Sequence, residues 1–237
     1  YIELMRFLFK PDSGYSFNSG GELKSIRLLN IDTVKEFHKK YYKPENTLIV
    51  IVGAINPKKI IECIINIEST VLSEHILDNK IPRPWVNNEI SPPVYGVKEV
   101  TFNSNNLTNG NLLICFEGPG RNNIAECVAL NVVASYLSYF EQSPLKIKCT
   151  GTPTLCSDIV YNTYWFDKTY TSFKFCGAKI DKFDEIIDIF KSMISELRGK
   201  GLDNDFLKTV INFEYCSAIN SFEQSPHNKI AQRGIDY

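Results

Sequence analysis

"FHKKYYKPENTLIVIVGAIN", residues 37–56, is the stretch on which the reading of the whole chain turns. It places His38, one of three histidines in the chain, beside Tyr41 and Tyr42 and ahead of a proline and an apolar run. Val34, Phe37 and Tyr41 recur at helical spacing behind Asn30 or Asp32, either of which can cap a helix. Lys43-Pro44 stops that helix, because proline pushes the residue before it out of the helical region. "TLIVIVG", residues 47–53, is β-branched and apolar on both alternating faces, the pattern of a central buried strand. Asn56-Pro57 then opens a second helix, with Ile60, Ile61, Ile64 and Ile67 forming one stripe. His38 has Val, Tyr and Tyr at positions 34, 41 and 42. A zinc site would want a second ligand one helical turn away, so His38 reads as part of a packed joint.

Working outward, residues 1–30 hold the apolar segment "LMRFLF" and the turn-rich loop "KPDSGYSFNSGGELKS". On the other side "DNKIPRPWVNNEISPPVYG", residues 78–96, has four prolines and no periodicity, as a linker does. The expected organisation is a first unit over 1–80, a linker over 81–96 and a second unit over 97–237. In the second unit "VKEVTF" and "NLLICFEG" read as strands around the turn "NSNNLTNG". "NNIAECVALNVVASYLSYF" reads as a buried helix, apolar on most faces. "SDIVYNTYWF" and "TYTSFKFCGA" form a hairpin about Asp167-Lys168. Asp181 is placed to cap a long helix with Phe183, Ile186, Ile187, Phe190, Ile194 and Leu197 inward, ended by "RGKG". A last helix is expected from about Leu202 to Phe222. This order gives an α+β fold, a mainly antiparallel sheet with helices packed on one face.

Bulk composition narrows the functional classes. Of 237 residues, 43% are hydrophobic and 22% charged, with a formal net charge of -1. No basic stripe points to nucleic acid and no cationic amphipathic helix to a membrane surface. The run "LIVIV" is far short of the roughly 20 residues that span a bilayer. The chain opens "YIELMRFLF" with no basic leader, and the missing initiator methionine gives the expectation of a longer parent. Cys63, Cys115, Cys127, Cys149, Cys156, Cys176 and Cys216 are odd in number and lack CxxC spacing. They read as reduced thiols in the cytoplasm or another reducing compartment. "NLT" at Asn106 is a formal glycosylation triplet.

No catalytic set assembles from the residues. "VLSEH", residues 71–75, misses the inverted zinc signature HxxEH, because Val71 stands where a histidine is required. Without that ligand Glu74 has no metal-bound water to deprotonate. "CFEGPGRNN", residues 115–123, fails the dinucleotide fingerprint at Asn123 and reads as a turn. The acidic run "DKFDEIIDIF" places its carboxylates opposite the apolar stripe, as a solvated helix face does. Cys127 and Cys216 read as helix thiols among apolar neighbours, where reactivity falls. "SGG" at 19–21 lacks the strand of a nucleophile elbow. Catalytic residues and metal ligands are therefore both expected to be none, and substrate-binding residues are left unassigned.

Taken together, "LMRFLFKPDSGYSFNSGG" and "FHKKYYKPENTLIVIVGAINPKKI" resemble the insulinase/pitrilysin family of inverted-motif zinc metallopeptidases, above all its presequence-protease-like and insulinase-like members. The matching positions are Phe37, His38, Tyr41, Tyr42, Pro44, Asn46, Leu48 to Val52, Gly53, Asn56 and Pro57. "RPW", "NGNLLICFEGPG" and "AECVALNVVASYL" resemble the start of a second unit. The resemblance implies a peptidase of repeated α+β units enclosing a chamber, with peptide bound extended at a sheet edge. Its zinc ligands lie upstream of the FH helix; Glu3, Asp12 and Glu22 are the only acids there, and Glu3 sits too near "FLF" to serve. This implies zinc in the parent and none on this chain. The partners implied are the remaining units of the parent and peptide substrates. The expectation is a wall-forming, inactive fragment of a zinc metalloendopeptidase that degrades unstructured peptides. The alternatives are a non-catalytic partner subunit of the same fold, or an unrelated peptide-binding α+β module.

Overall fold

The computed structural model describes residues 2–11, 13–74 and 93–236, and it divides into two units. One comprises Tyr1–Thr101 with Ser225–Tyr237, the other Phe102–Gln224. The division falls after residue 101 rather than within the expected linker, most of which lies outside the described residues. The segment from Ser225 groups with the first unit.

The first unit is helical where it is regular. α1, Ile2–Leu8, replaces the short apolar segment and buries Met5 and Leu8, with Phe9 also buried just beyond it. Phe9 stacks tilted on Tyr15, 5.1 Å between ring centroids. α2 spans Leu23–Ile26. α3, Ile31–Tyr41, starts as expected: the Asn30 side chain accepts a hydrogen bond from the Thr33 amide at 2.8 Å, leaving Asp32 inside the first turn. A 3-10 turn over Pro44–Asn46 follows, then an extended stretch. α4, Pro57–Glu74, is capped by Asn56, whose side chain accepts from the Lys58 amide at 3.0 Å. α9, Pro226–Asp236, completes the unit.

The expected strand over 47–53 does not form. Leu48, Ile49, Val50 and Ile51 stay exposed, Leu48 at 69%, and no strand occurs among the described residues of this unit. A strand exists only as half of a ladder, so β-branched composition without a neighbouring edge leaves extended chain. On α4 the expected stripe is likewise only half covered: Ile60 and Ile64 are partly buried while Ile61 and Ile67 face solvent. "VKEVTF" is also extended and open, with Val97 90% exposed.

The second unit is a packed α+β layer. β1, Asn109–Gly120, β2, Asp158–Trp165, and β3, Lys168–Lys179, form a three-stranded antiparallel sheet in the order β1-β3-β2. β2 and β3 are the expected hairpin, with Tyr161 opposite Phe173 and Trp165 opposite Thr169. β1 joins the other side of β3 with Ile114 opposite Phe173, and its register shifts between Gly110 and Leu112 and between Glu117 and Gly120. α5, Ile124–Ser138, α6, Pro144–Thr150, α7, Phe183–Lys200, and α8, Asn204–Gln224, supply the helical layer. The core joins Leu145, Cys149, Cys156, Ile159, Phe173, Phe175, Ile186, Phe190, Met193 and Val210 from these elements. Leu112, Ile114 and Phe116 alternate along β1 toward the same core, as period-two strand geometry requires.

Helix ends follow their capping chemistry with one correction. Asn123 caps α5 by accepting from the Glu126 amide at 3.3 Å. Gly201 closes α7 at a positive φ of 81°, which a residue without a Cβ adopts readily. Asp203 caps α8, accepting from Phe206 at 2.8 Å. Asp181 does not cap α7; a 3-10 turn over Ile180–Lys182 leads into the helix, and no side chain caps it. That turn already supplies backbone carbonyls to the first amides, which removes the need for one.

Candidate functional site

Each side chain singled out in the sequence has a structural partner or none. His38 stacks on Tyr42, centroids 4.8 Å apart, while Phe37 and Tyr41 meet at 4.7 Å. The FH helix end is thus an aromatic knot, with Phe37 and Tyr42 exposed. Glu3 is held by Lys98 at 2.9 Å and Arg6 at 3.2 Å. The hydrogen bond from Lys98, with Arg6 adding to it, draws the Glu3 carboxyl below its ordinary pKa. Arg6 also pairs with Glu22. Of "VLSEH", Val71 to Glu74 end α4 and His75 lies outside the described residues. Among the described residues no group of three or more His, Cys, Asp or Glu side chains converges as a metal site would need.

The glycine stretch at 115–120 is strand rather than turn. β1 runs through Gly118 and Pro119 to Gly120, and the chain turns only at Arg121 and Asn122. A Cβ on Gly118 would stand 2.5 Å from Thr169 Oγ1 and 2.7 Å from Leu130 Cδ2, so the glycine admits α5 and β3 close to β1. Thr169 Oγ1 donates to the Pro119 carbonyl at 2.9 Å across that approach. The sequence signal was the Gly-Pro-Gly spacing, but its meaning is packing, not anion binding.

The thiols divide by burial. Cys127, Cys149 and Cys156 are buried, whereas Cys63 and Cys216 are exposed. For Cys216 this corrects the expected apolar setting: it lies on the outer side of α8. Desolvation pushes the Cys149 thiol up to about 12, aided by neighbouring Cys156, and the Cys156 thiol up to about 11. Cys115 rises to about 11, again through burial. Neutral thiols of this kind make poor nucleophiles.

Two polar clusters were not visible in the sequence. Lys146, with a side chain only 13% exposed, reaches Glu141 at 3.2 Å and Asp158 at 3.1 Å, tying α6 to β2. Burial pulls its pKa down, but the hydrogen bonds to Asp158 and Glu141 outweigh that and raise it overall. Tyr161, half-buried, is raised by burial and then by the Glu214 carboxylate. Both clusters join helix to sheet, and neither places a nucleophile beside a base.

A cleft of about 290 Å³ lies between α6 and α7, lined by Pro144, Ile147, Lys148, Met193, Glu196 and Leu197, with Gln142 just ahead of α6. Lys148 and Glu196 meet at 3.5 Å at its rim, so the cleft closes on its own ion pair.

The family model described as "Peptidase M16 inactive domain" matches residues 29–213, which begin just before the FH helix and run into α8. This chain belongs to the peptidase M16 inactive domain family. The unrelated-module reading is thereby removed. An uncharacterized protein of Saccharomyces cerevisiae is 27% identical over 238 residues, covering 90% of this chain and 22% of that protein. An uncharacterized protein of Schizosaccharomyces pombe is 28% identical over 135 residues, 56% of this chain and 13% of its own length. The mitochondrial presequence protease of Drosophila melanogaster is 24% identical over 221 residues, 85% of this chain and 20% of the protease. This M16 chain therefore spans about a fifth or less of those relatives.

Solved structures agree on the fold. The peptidase M16 inactive domain from Pseudomonas fluorescens superposes with a TM-score of 0.71 at 17% identity, covering 98% of this chain and 54% of that one. A protease from Helicobacter pylori gives 0.67 at 20% identity, over 90% of this chain and 50% of that chain. Among the described residues no helix is long and apolar enough to cross a membrane.

Proposed function

We propose that this M16 inactive domain is the wall-forming, non-catalytic part of a zinc metalloendopeptidase that degrades unstructured peptides. The observation that carries this reading is the family match over residues 29–213, supported by similarity to a presequence protease. The zinc of the parent would act as a Lewis acid and activate water. The residues present here do not fit that ion: His38 is stacked on Tyr42, Glu3 is ion-paired, and Val71 replaces a ligand. No catalytic step is therefore assigned to this chain. Its contribution is shape: a three-stranded sheet with one helical layer, and a first unit whose exposed run Leu48–Ile51 and half-covered α4 await the parent's remaining units. Peptide substrates are the proposed cargo of the assembled protein, in the cytoplasm or another reducing compartment.

The test has two arms. The longer parent should carry HxxEH and a later glutamate upstream of residue 1 and cleave a quenched fluorescent peptide in a chelator-sensitive manner. The 237-residue chain alone should bind no stoichiometric zinc by elemental analysis and leave the same peptide intact. A parent with a degenerate motif would replace the enzyme reading with the partner-subunit one. Cleavage by the chain alone would end both.

A further inference from the structure

α6 leads into β2 through residues 151–157, and two buried thiols stand at the ends of that link. Cys149 lies in the last turn of α6 and Cys156 two residues before β2, 0% and 1% exposed. The Cys149 carbonyl is one of those that a helix leaves without a donor at its C-terminal end. It accepts the Leu155 amide at 2.9 Å, the Cys156 amide at 3.1 Å and the Cys156 thiol at 3.8 Å. An amide bonded directly to a carbonyl places the two Cα atoms roughly 5–6 Å apart, inside the roughly 4.4–6.8 Å that a disulfide spans. A third thiol, Cys176 of β3, is also near: Ser157 donates its amide at 2.8 Å and its hydroxyl at 2.9 Å to the Cys176 carbonyl. The Cys176 sulfur, however, turns to the Lys174 carbonyl of its own strand at 3.9 Å, so Cys149 is the partner toward which the Cys156 sulfur points.

We propose that Cys149 and Cys156 form a redox pair, dithiol at rest and disulfide under peroxide, that clamps the end of α6 to the start of β2. Access comes from the link itself. Residues 151–157 form neither helix nor strand, and Thr152, Pro153, Thr154 and Ser157 are exposed, so a local opening uncovers Cys156 without unfolding the sheet. Burial above all holds the two thiols neutral, Cys149 to about 12 and Cys156 to about 11, which keeps the pair silent until that opening. The Cys156 sulfur then attacks hydrogen peroxide and keeps one oxygen as a sulfenic acid. The O–O bond breaks, and the second oxygen leaves as water with the Cys156 thiol proton. Cys149 attacks the sulfenic sulfur, the S–S bond forms, and the hydroxyl leaves as a second water with the Cys149 proton. Two thiols lose two electrons and one peroxide gains them. The bond closes a ring of eight residues and removes part of its freedom from the unfolded chain, which stabilises the second unit.

The test uses the 237-residue chain with Cys63→Ser and Cys216→Ser, both at exposed positions, to suppress links between molecules. After millimolar hydrogen peroxide at neutral pH, the tryptic peptide 149–168 should be lighter by two hydrogen atoms and take no alkylating reagent. Chymotryptic cleavage after Leu155 should leave its halves joined until dithiothreitol parts them. The melting temperature should rise by several degrees on oxidation and fall back on reduction. Urea below the unfolding midpoint should speed the reaction, because it raises the open fraction. Cys176→Ser should leave the link unaltered, whereas Cys149→Ser and Cys156→Ser should each abolish it. Two alkylatable thiols after prolonged exposure overturn the proposal, as does a link from Cys156 to Cys176. Oxidation of either thiol to the sulfonic acid, or a link that lowers the melting temperature, overturns it too.

Discussion

Phe173 is fully buried at the middle of β3 and touches three elements through its ring. It meets Phe116 of β1 at 6.0 Å, Tyr161 of β2 at 6.5 Å and Phe190 of α7 at 5.3 Å. Removing it opens a cavity that a close-packed interior cannot refill, so Phe173→Ala should cost about 3–5 kcal/mol. Urea denaturation should show this as a lower midpoint with an unchanged slope. Ile49→Ala, at an exposed position, should move the midpoint by no more than about 0.5 kcal/mol. Lys146→Ala leaves Asp158 and Glu141 without their cation and should cost about 1–2 kcal/mol, read in the same assay. Cys149 and Cys156 give the pH dependence its sign. Each is neutral in the fold to a pKa of about 12 and about 11, against an ordinary value of 9.0. Above pH 9 the unfolded chain has lost protons that the folded chain still holds, so their stabilisation is complete below pH 9 and declines as pH rises toward 12. Thermal melts should accordingly fall on the alkaline side. A thiol reagent at pH 8 should modify Cys63 and Cys216 well before Cys149 or Cys156, as peptide mass mapping would show.

At the scale of elements, the β2–β3 hairpin and α7 could be read directly because their apolar periodicity and their partners are local. Gly201 and Asn30 were legible for the same reason, since a cap is decided within one turn. The run at 47–53 was misread because buried-strand composition says nothing of where the neighbouring edge comes from. α8 carries apolar residues on both sides, Val210 and Phe213 toward the core and Ile211, Tyr215 and Ile219 exposed, which blurs any single stripe. Gly118 shows the same limit in a strand, its role fixed by Thr169 and Leu130, both distant in sequence. Gly118→Ala should force those neighbours apart and destabilise the second unit by about 1–3 kcal/mol, with a broadened or shifted near-ultraviolet spectrum from the aromatic core.

At the scale of the whole molecule, what could be read was the family, which the match over residues 29–213 shows, and the α+β class. The sequence reading took His38 as scaffold because metal chemistry demands several ligands at once, and none stood at helical spacing. A peptidase reading of the parent predicts a specific dissection. Replacing the parent's upstream HxxEH glutamate with glutamine should abolish peptide cleavage while zinc content stays near one per chain. Phe173→Ala in the same parent should instead lower both expression and thermal stability, and any activity that remains should keep its chelator sensitivity.

The order β1-β3-β2 also matters while the polypeptide is being made. β1 leaves the ribosome before β3, its sheet neighbour among the described residues, which begins at Lys168, nearly fifty residues after β1 ends at Gly120. At about 5–20 residues per second, that leaves Leu112, Ile114 and Phe116 waiting roughly 3–10 seconds for an edge to join. During this interval the nascent chain displays a bare apolar strand, and holdase chaperones should capture ribosome-bound intermediates stalled between residues 150 and 200 far more readily than those released beyond them.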